Sequence, residues 1–210
     1  MNDQHLKHIL KTLTLGNLKN EPTEVFGSRG GEKIWKVNTQ SKSYAIKQLS
    51  PDLDVNNESI IRKYELSEDI AAEFSKQGIN AITALSKENK HLFIFTDKAY
   101  LVYPWVEGSI LDRNQISEPH AITIAEIIAQ LHSAQFSMPH IKPQRFDIHT
   151  PATINAAIHN AIQNNYLFAQ TLKDHQDTLI NVNEQYQAII PTLREEAVIT
   201  HGDIDQLNVI

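Results

Sequence analysis

The sequence predicts an α+β chain of two lobes, an antiparallel sheet lobe at residues 1–107 and a mainly helical lobe at residues 108–210. Strand-like runs concentrate in the first part, and long runs with helical spacing dominate the second. The 210 residues are 41% hydrophobic, which is enough apolar material for a sizeable core. A change in residue character near 107–109 marks the predicted boundary between the lobes.

The elements of the first lobe follow from the spacing of its apolar residues. Residues 1–20 predict an amphipathic helix that ends near Gly16, and residues 57–77 predict a second helix that ends before Gly78. A TQSK turn joins the first two strands and residues 97–98 join the last two. The four predicted strands are 34–39, 43–49, 91–96 and 100–105.

The second lobe is predicted from two helical stretches. Residues 121–136 (AITIAEIIAQLHSAQF) have a strongly helical pattern, and residues 153–193 predict one or two long helices rich in Ala, Gln and Asn. No internal repeat or low-complexity segment interrupts them. This lobe therefore contrasts with the sheet-rich segment before it.

Composition excludes several classes of function. The chain has no cysteine, so it has no disulfide or thiolate site, and its ten histidines lack metal-binding spacing. A formal net charge of −6 argues against a general nucleic-acid binder. No apolar run approaches the roughly 20 residues that span a bilayer, and the polar start lacks a secretory core. We therefore expect a cytoplasmic protein that binds neither membrane nor nucleic acid; the sequence does not indicate an oligomeric state.

The segment VITHGDIDQLNVI, residues 198–210, has the spacing of a kinase catalytic loop, with His201, Gly202, Asp203 and then Asn208. Phosphoryl transfer to an alcohol needs a carboxylate that orients the hydroxyl and accepts its proton, and an oxygen ligand for magnesium. Asp203 and Asn208 can supply these groups. The competing interpretation is a polar turn that caps a buried strand.

A second pattern, SYAIKQL, places Lys47 near the end of an alternating strand, where a nucleotide-binding lysine is expected. Its ammonium can pair with the α- and β-phosphates, and Ala45 offers a small surface over a purine. The following helix should supply a glutamate for Lys47, and Glu68 or its neighbour Glu65 can point inward. A solvated edge charge is the ordinary role of a strand lysine.

Two further stretches fit the same site. The loop FGSRGGEK, which includes Gly30 and Gly31, can lay backbone N–H groups over phosphates. In YLVYPWVEG, a purine can donate to the carbonyl of Pro104 and accept from the N–H of Val106, because proline loses only its N–H. The alternatives are a glycine-rich hairpin and an edge strand that ends at proline.

The ordered set SYAIK, a helix with an inward Glu, LVYPWVEG, IIAQLHS and HGDIDQLN resembles the aminoglycoside phosphotransferase and choline kinase superfamily over nearly the whole chain. The resemblance implies a two-lobed protein-kinase-like fold that binds ATP and Mg²⁺ and phosphorylates a hydroxyl of a small molecule. It implies one role for each of six residues: Asp203 as catalytic base, Asn208 as magnesium ligand, Lys47 as phosphate contact, Glu68 as partner of Lys47, His201 as orienter of the loop, and Ile210 as part of the adenine floor.

The chain departs from the family pattern at two places. Asp205 and Gln206 replace the usual His-Pro after the catalytic aspartate, and the glycine loop lacks its usual Asn. A second metal-binding aspartate, common in the family, would lie beyond Ile210. We therefore expect an N-terminal portion of a longer kinase with weak nucleotide binding and poor turnover. The alternative is a nucleotide-binding pseudokinase or scaffold without transfer activity.

Overall fold

The computed structural model describes residues 1–25, 31–109, 113–134, 138, 141, 149–195, 198–200 and 202. The described residues of Met1–Met138 and Thr200–Ile210 form one compact unit, and those of Pro139–Ile199 form a second. The first unit contains the sheet and the second is helical, which agrees with the predicted α+β class. The predicted boundary between residues 107 and 108 remains a prediction.

Helices and strands follow in an order close to the expected one. The helices are α1 (Asp3–Thr12), α2 (Glu58–Lys76), α3 (Glu118–Ser133), α4 (Pro151–Gln163), α5 (Ala169–Asp174) and α6 (Gln176–Glu195). The strands are β1 (Thr23–Val25), β2 (Lys33–Asn38), β3 (Ser43–Gln48), β4 (Phe93–Phe95) and β5 (Lys98–Pro104).

Three local predictions need correction. The short strand β1 was not expected, because three residues are too few to show a period. Lys98 lies in β5 and not in the turn, which Thr96 and Asp97 form instead, with Thr96 in the left-handed region at φ 57°. The stretch 153–193 contains parts of three helices where one or two were predicted.

All five strands form one antiparallel sheet in the order β1-β2-β3-β5-β4. The β2–β3 hairpin closes through Thr39, whose Oγ1 accepts the backbone N–H of Lys42 at 3.2 Å. In the register, Ala45 lies between Lys36 on β2 and Tyr103 on β5. Because side chains alternate along a strand, these three project from the same side of the sheet.

One side of the sheet packs against α1. Asn2 caps this helix by accepting the N–H of Gln4 at 2.8 Å, and the chain leaves the helix through Gly16 at φ 88°. The cluster on this side is almost wholly apolar: Leu6, Ile9, Leu10, Leu15, Trp35, Val37, Tyr44, Ile46, Phe93, Tyr100 and Val102. Burial of these side chains is the main stabilising term for this part of the fold.

A series of hydrogen-bonded polar side chains enters this core. Nδ1 of His5 lies 2.6 Å from the hydroxyl of the fully buried Tyr100, and that hydroxyl donates to Oε1 of Gln48 at 3.3 Å. A neutral His5 with its proton on Nδ1 can donate to the tyrosine oxygen and complete the series. Burial, followed by the positive charge of Lys98, lowers the pKa of His5 below its ordinary value.

The other side of the sheet faces α2, which begins at Asn57. The side chain of Asn57 accepts the N–H groups of Ser59 and Ile60 at the start of this helix. A second cluster lies on this side, formed by buried residues and by partly buried ones that pack on them: Leu49, Ala84, Leu92, Ala99, Leu101, Leu53, Val55, Ile61, Tyr64 and Tyr103. Charged groups, among them Lys47 and Glu32, also lie on this side.

In the helical unit, α4 contacts both α5 and α6. Ile158, Ala161 and Ile190 are buried in it. Gln187 on α6 donates to the carbonyl of His149 at 2.9 Å, next to the start of α4. This hydrogen bond and the apolar contacts hold the unit together.

The buried His5 predicts a pH dependence of stability. Because its pKa is lowered in the folded chain, the unfolded chain binds the proton more readily, so the free energy of unfolding should fall as pH falls below about 6.5. Urea unfolding at pH 8 and pH 5.5 should show a smaller pH effect in His5→Gln than in the parent. His8→Gln, exposed on the same helix, should keep the parent's pH effect; an equal reduction in both variants would contradict the assignment.

Candidate functional site

The α2 side of the sheet carries two of the residues predicted to bind a nucleotide. Ala45 and Lys47 lie two residues apart on β3 and so share this side. Ala45 pairs with Tyr103 and Lys47 with Leu101 on β5. The strand thus presents a small side chain and an ammonium next to each other.

Lys47 is held by Glu32. Its Nζ lies 2.9 Å from Oε2 of Glu32, with 28% of the lysine side chain and 16% of the glutamate side chain exposed. Pairing offsets the cost of removing these charges from water. The lysine is therefore more than a solvated strand charge, and part of it stays reachable from outside.

Gly31 fixes the chain just before Glu32. Its φ is +79°, a conformation that L side chains rarely adopt, and a Cβ there would meet Cδ of Pro51 at 3.3 Å. Any other residue would be strained and crowded at this point. The predicted phosphate contact of Gly31 stays a prediction, and Gly30 lies outside the described residues.

Glu68 was expected to pair with Lys47, but the structure gives it other partners. Both carboxylate oxygens of the buried Glu68 have other partners: Oε2 accepts the N–H of Ala84 at 2.9 Å, and Oε1 accepts the hydroxyl of Tyr103 at 2.7 Å. Glu68 does point inward, as its position on the helix predicted. Its interactions tie α2 to the loop before β4 and to β5.

Glu65, the other acid considered for Lys47, is also engaged elsewhere. Its two oxygens accept the N–H groups of His91 and Leu92 at 2.7 and 3.1 Å. One turn away, Oδ1 of Asp69 lies 3.3 Å from Nε2 of the buried His91, whose Nδ1 faces the carbonyl of Ala84 at 3.0 Å. The acids of α2 therefore hold segment 84–92.

Tyr103 forms a wall of the site beside Ala45. Burial raises its pKa well above the ordinary range, and the charges of Glu68 and Glu32 act in the same direction. Burial and then Glu32 likewise raise the pKa of Tyr64 on α2. The carboxylate of Glu32 thus lies close enough to influence both phenols, which stay protonated and can donate.

A second lysine lies near Ala45 and was not predicted from the sequence. Nζ of Lys36 lies 2.9 Å from Oε1 of Glu107 and 4.3 Å from the ring centroid of Trp105. The hydrogen bond from Lys36 lowers the pKa of Glu107. The alternation of side chains along β2 places Lys36 on the same side of the sheet as Ala45. This alternation is the sequence signal from which Lys36 could have been predicted as a neighbour of the site.

Pro104 ends β5, as predicted for the junction. The N–H of Trp105 donates to the carbonyl of Ser43 at 3.0 Å, so pairing with β3 continues past the proline. Val106 follows as an exposed residue. The purine contacts of Pro104 and Val106 remain predictions.

A cavity of about 640 Å³ shares only the segment 104–107 with this site. Most of its lining belongs to the end of α1, the start of β3 and residues 85–86, and includes Tyr44 from the α1 core. Ala45 and Lys47 do not line it. The cavity therefore lies beside the start of β3 and the end of β5.

The terminal motif lies almost wholly outside the described residues. This holds for His201, Asp203, Asn208 and Ile210, whose predicted roles remain predictions, whereas Gly202 is described with a φ of 81°. Among the described side chains, no group of three or more His, Cys, Asp or Glu residues can hold a metal ion. Within the same part of the chain, every helix is too short or too polar to cross a membrane.

Comparison with known proteins gives a family match over most of the chain. The phosphotransferase enzyme family (APH) matches residues 59–210, which include the α2 acids, the Pro104 junction and the terminal motif. No curated protein sequence matches the chain.

Solved structures share the fold. Spectinomycin phosphotransferase in complex with ADP and spectinomycin has a TM-score of 0.58 at 13% identity, covering 98% of this chain and 64% of that one. Its AMP complex has a TM-score of 0.51 at 16% identity, with coverages of 98% and 65%. An aminoglycoside phosphotransferase from Alicyclobacillus acidocaldarius has a TM-score of 0.54 at 17% identity, with coverages of 94% and 60%. The chain thus spans about three fifths of these proteins, and its kinase-like fold is confirmed.

The contacts of Glu68 predict a structural role that can be measured. Glu68→Ala leaves the buried N–H of Ala84 without its acceptor and should lower the free energy of unfolding by about 1–3 kcal/mol. Glu73→Ala, on the same helix but paired only with Lys76 on the surface, should change it by less than about 0.5 kcal/mol. Chemical unfolding of both variants checks this, and equal effects would contradict the role.

Proposed function

Because this chain belongs to the phosphotransferase enzyme family, we propose that it carries the nucleotide-binding part of an ATP-dependent kinase that phosphorylates a hydroxyl of a small molecule. The observation that carries the proposal is the arrangement on the α2 side of the sheet. There a paired but reachable Lys47 lies next to the small Ala45, on the strand that pairs with β5 as far as Pro104.

The residues present fit a nucleotide. An ammonium with three donors can bind phosphate oxygens while one donor stays with Glu32. Ala45 leaves room over the sheet for a flat purine, and the carbonyl of Pro104 with the N–H of Val106 offers one acceptor and one donor for its edge. The bound ADP and AMP of the spectinomycin phosphotransferase structures support the same class of ligand.

The chemical step is assigned from the sequence motif. Asp203 accepts the proton of the acceptor hydroxyl, and His201 orients the loop that carries it. Asn208 would hold Mg²⁺, which when bound supplies positive charge to the phosphates.

The acceptor is proposed only as a class. The spectinomycin and aminoglycoside phosphotransferases among its structural relatives support a small hydroxyl compound. An aminoglycoside, choline or homoserine is such a compound, and the formal charge of −6 favours a cationic one. A thermal-shift screen of the chain with ATP, Mg²⁺ and a panel of such alcohols tests this, because a bound partner raises the melting midpoint. Transfer of phosphate that persists in Asp203→Asn would contradict the role of Asp203.

The proposed phosphate contact makes a direct prediction. Lys47→Met should weaken ADP binding by about tenfold or more, because it removes a charge-assisted hydrogen bond to phosphate. Lys33→Met removes an exposed lysine from the adjacent strand and should leave the dissociation constant within about twofold. Isothermal titration with ADP measures both. Equal binding by the parent and Lys47→Met would contradict the site.

A further inference from the structure

We propose that Glu32, and not an acid of α2, is the residue that positions Lys47 for nucleotide binding, a role that rests on the proposed function. The direct observation is the 2.9 Å separation between Nζ of Lys47 and Oε2 of Glu32. Glu32 directly precedes β2, so the partner of Lys47 lies at the start of the β2–β3 hairpin.

The two inward-facing acids of α2, Glu65 and Glu68, already accept hydrogen bonds from backbone N–H groups and from a tyrosine hydroxyl. Glu68 holds the N–H of Ala84 and the hydroxyl of Tyr103, and Glu65 holds two consecutive N–H groups. Moving either carboxylate to Lys47 would leave buried donors unsatisfied, which is unfavourable. The contacts therefore favour Glu32 as the stable partner.

The position of Glu32 is built into the local backbone. Lys47 pairs with Ile34 across the hairpin, and Glu32 lies two residues before Ile34, on the same side of the sheet and diagonal to the lysine. Gly31, in its left-handed conformation against Pro51, sets the direction of the chain at this point. The ion pair is thus the product of strand register and a glycine turn.

The exposure of the pair indicates how it works. Glu32 is the more buried partner at 16%, whereas Lys47 keeps 28% of its side chain exposed. The carboxylate covers one side of the ammonium and leaves other N–H donors open. A lysine fixed in this way loses less side-chain entropy when it binds a phosphate, which improves affinity.

The first test needs no nucleotide. Unfolding constants of the 210-residue chain are measured for Glu32→Gln, Lys47→Met and the double variant. We expect the double variant to unfold with a constant about threefold smaller than additivity predicts, because the two residues interact. The pairs Glu68→Gln with Lys47→Met and Glu24→Gln with Lys47→Met should be additive; additivity of the Glu32 pair would overturn the assignment.

The second test measures ADP binding in the same variants. Glu32→Gln should weaken binding by about fivefold in the parent and have no further effect in Lys47→Met, because it acts through the lysine. Glu32→Asp should recover part of the loss. Glu24→Gln removes an exposed carboxylate that pairs with Lys33 on the neighbouring strand and should leave binding unchanged.

The two tests separate the inference from the proposed function. The parent chain could bind no ADP while Glu32 and Lys47 still show coupling in the unfolding measurements. That result overturns both the proposed function and the positioning role, and it supports only the ion pair. ADP binding that depends on Lys47 but is unchanged or tighter in Glu32→Gln overturns the positioning role alone. If Glu68→Gln weakens ADP binding in the parent but not in Lys47→Met, then Glu68 on α2, and not Glu32, positions the lysine.

Discussion

The first unit depends on three carboxylates of α2 that bind segment 84–92. Glu65 and Glu68 accept three backbone N–H groups of this segment, and Asp69 contacts the ring of His91. The segment has little regular structure of its own, so its buried N–H groups need these acceptors. Through the additional bond from Tyr103 to Glu68, the same helix is fixed to β5. This network decides where α2 lies on the sheet and which of its acids remain available.

The buried clusters on the two sides of the sheet differ in composition. The cluster on the α1 side is largely apolar, and the side chains of His5, Tyr100 and Gln48 form a hydrogen-bonded series within it. The α2 side combines apolar packing with paired charges, among them Lys47 with Glu32. A ligand with a flat base and a charged phosphate requires both properties next to each other. The second side offers them at Ala45 and Lys47.

Side-chain positions that depend on a local pattern could be predicted from the sequence. The alternation of β3 correctly predicted that Ala45 and Lys47 share one side, and the helical spacing of α2 predicted that Glu68 points inward. The partner of Lys47 was predicted wrongly, because it depends on where segment 84–92 crosses α2, and no periodicity encodes that crossing. The division of stretch 153–193 was missed because Asn165 leaves helical geometry at φ 51° without a glycine or proline.

The edges of the sheet also bear on how such a chain behaves at high concentration. β4 covers β5 only from Phe93 to Phe95, and beyond it the N–H of Leu85 donates to the carbonyl of Val102 at 2.7 Å. At the other edge, β1 has three residues. Short or covered edges give neighbouring molecules few free backbone groups to pair with. The network that holds segment 84–92 against β5 therefore also covers backbone groups at that edge of the sheet.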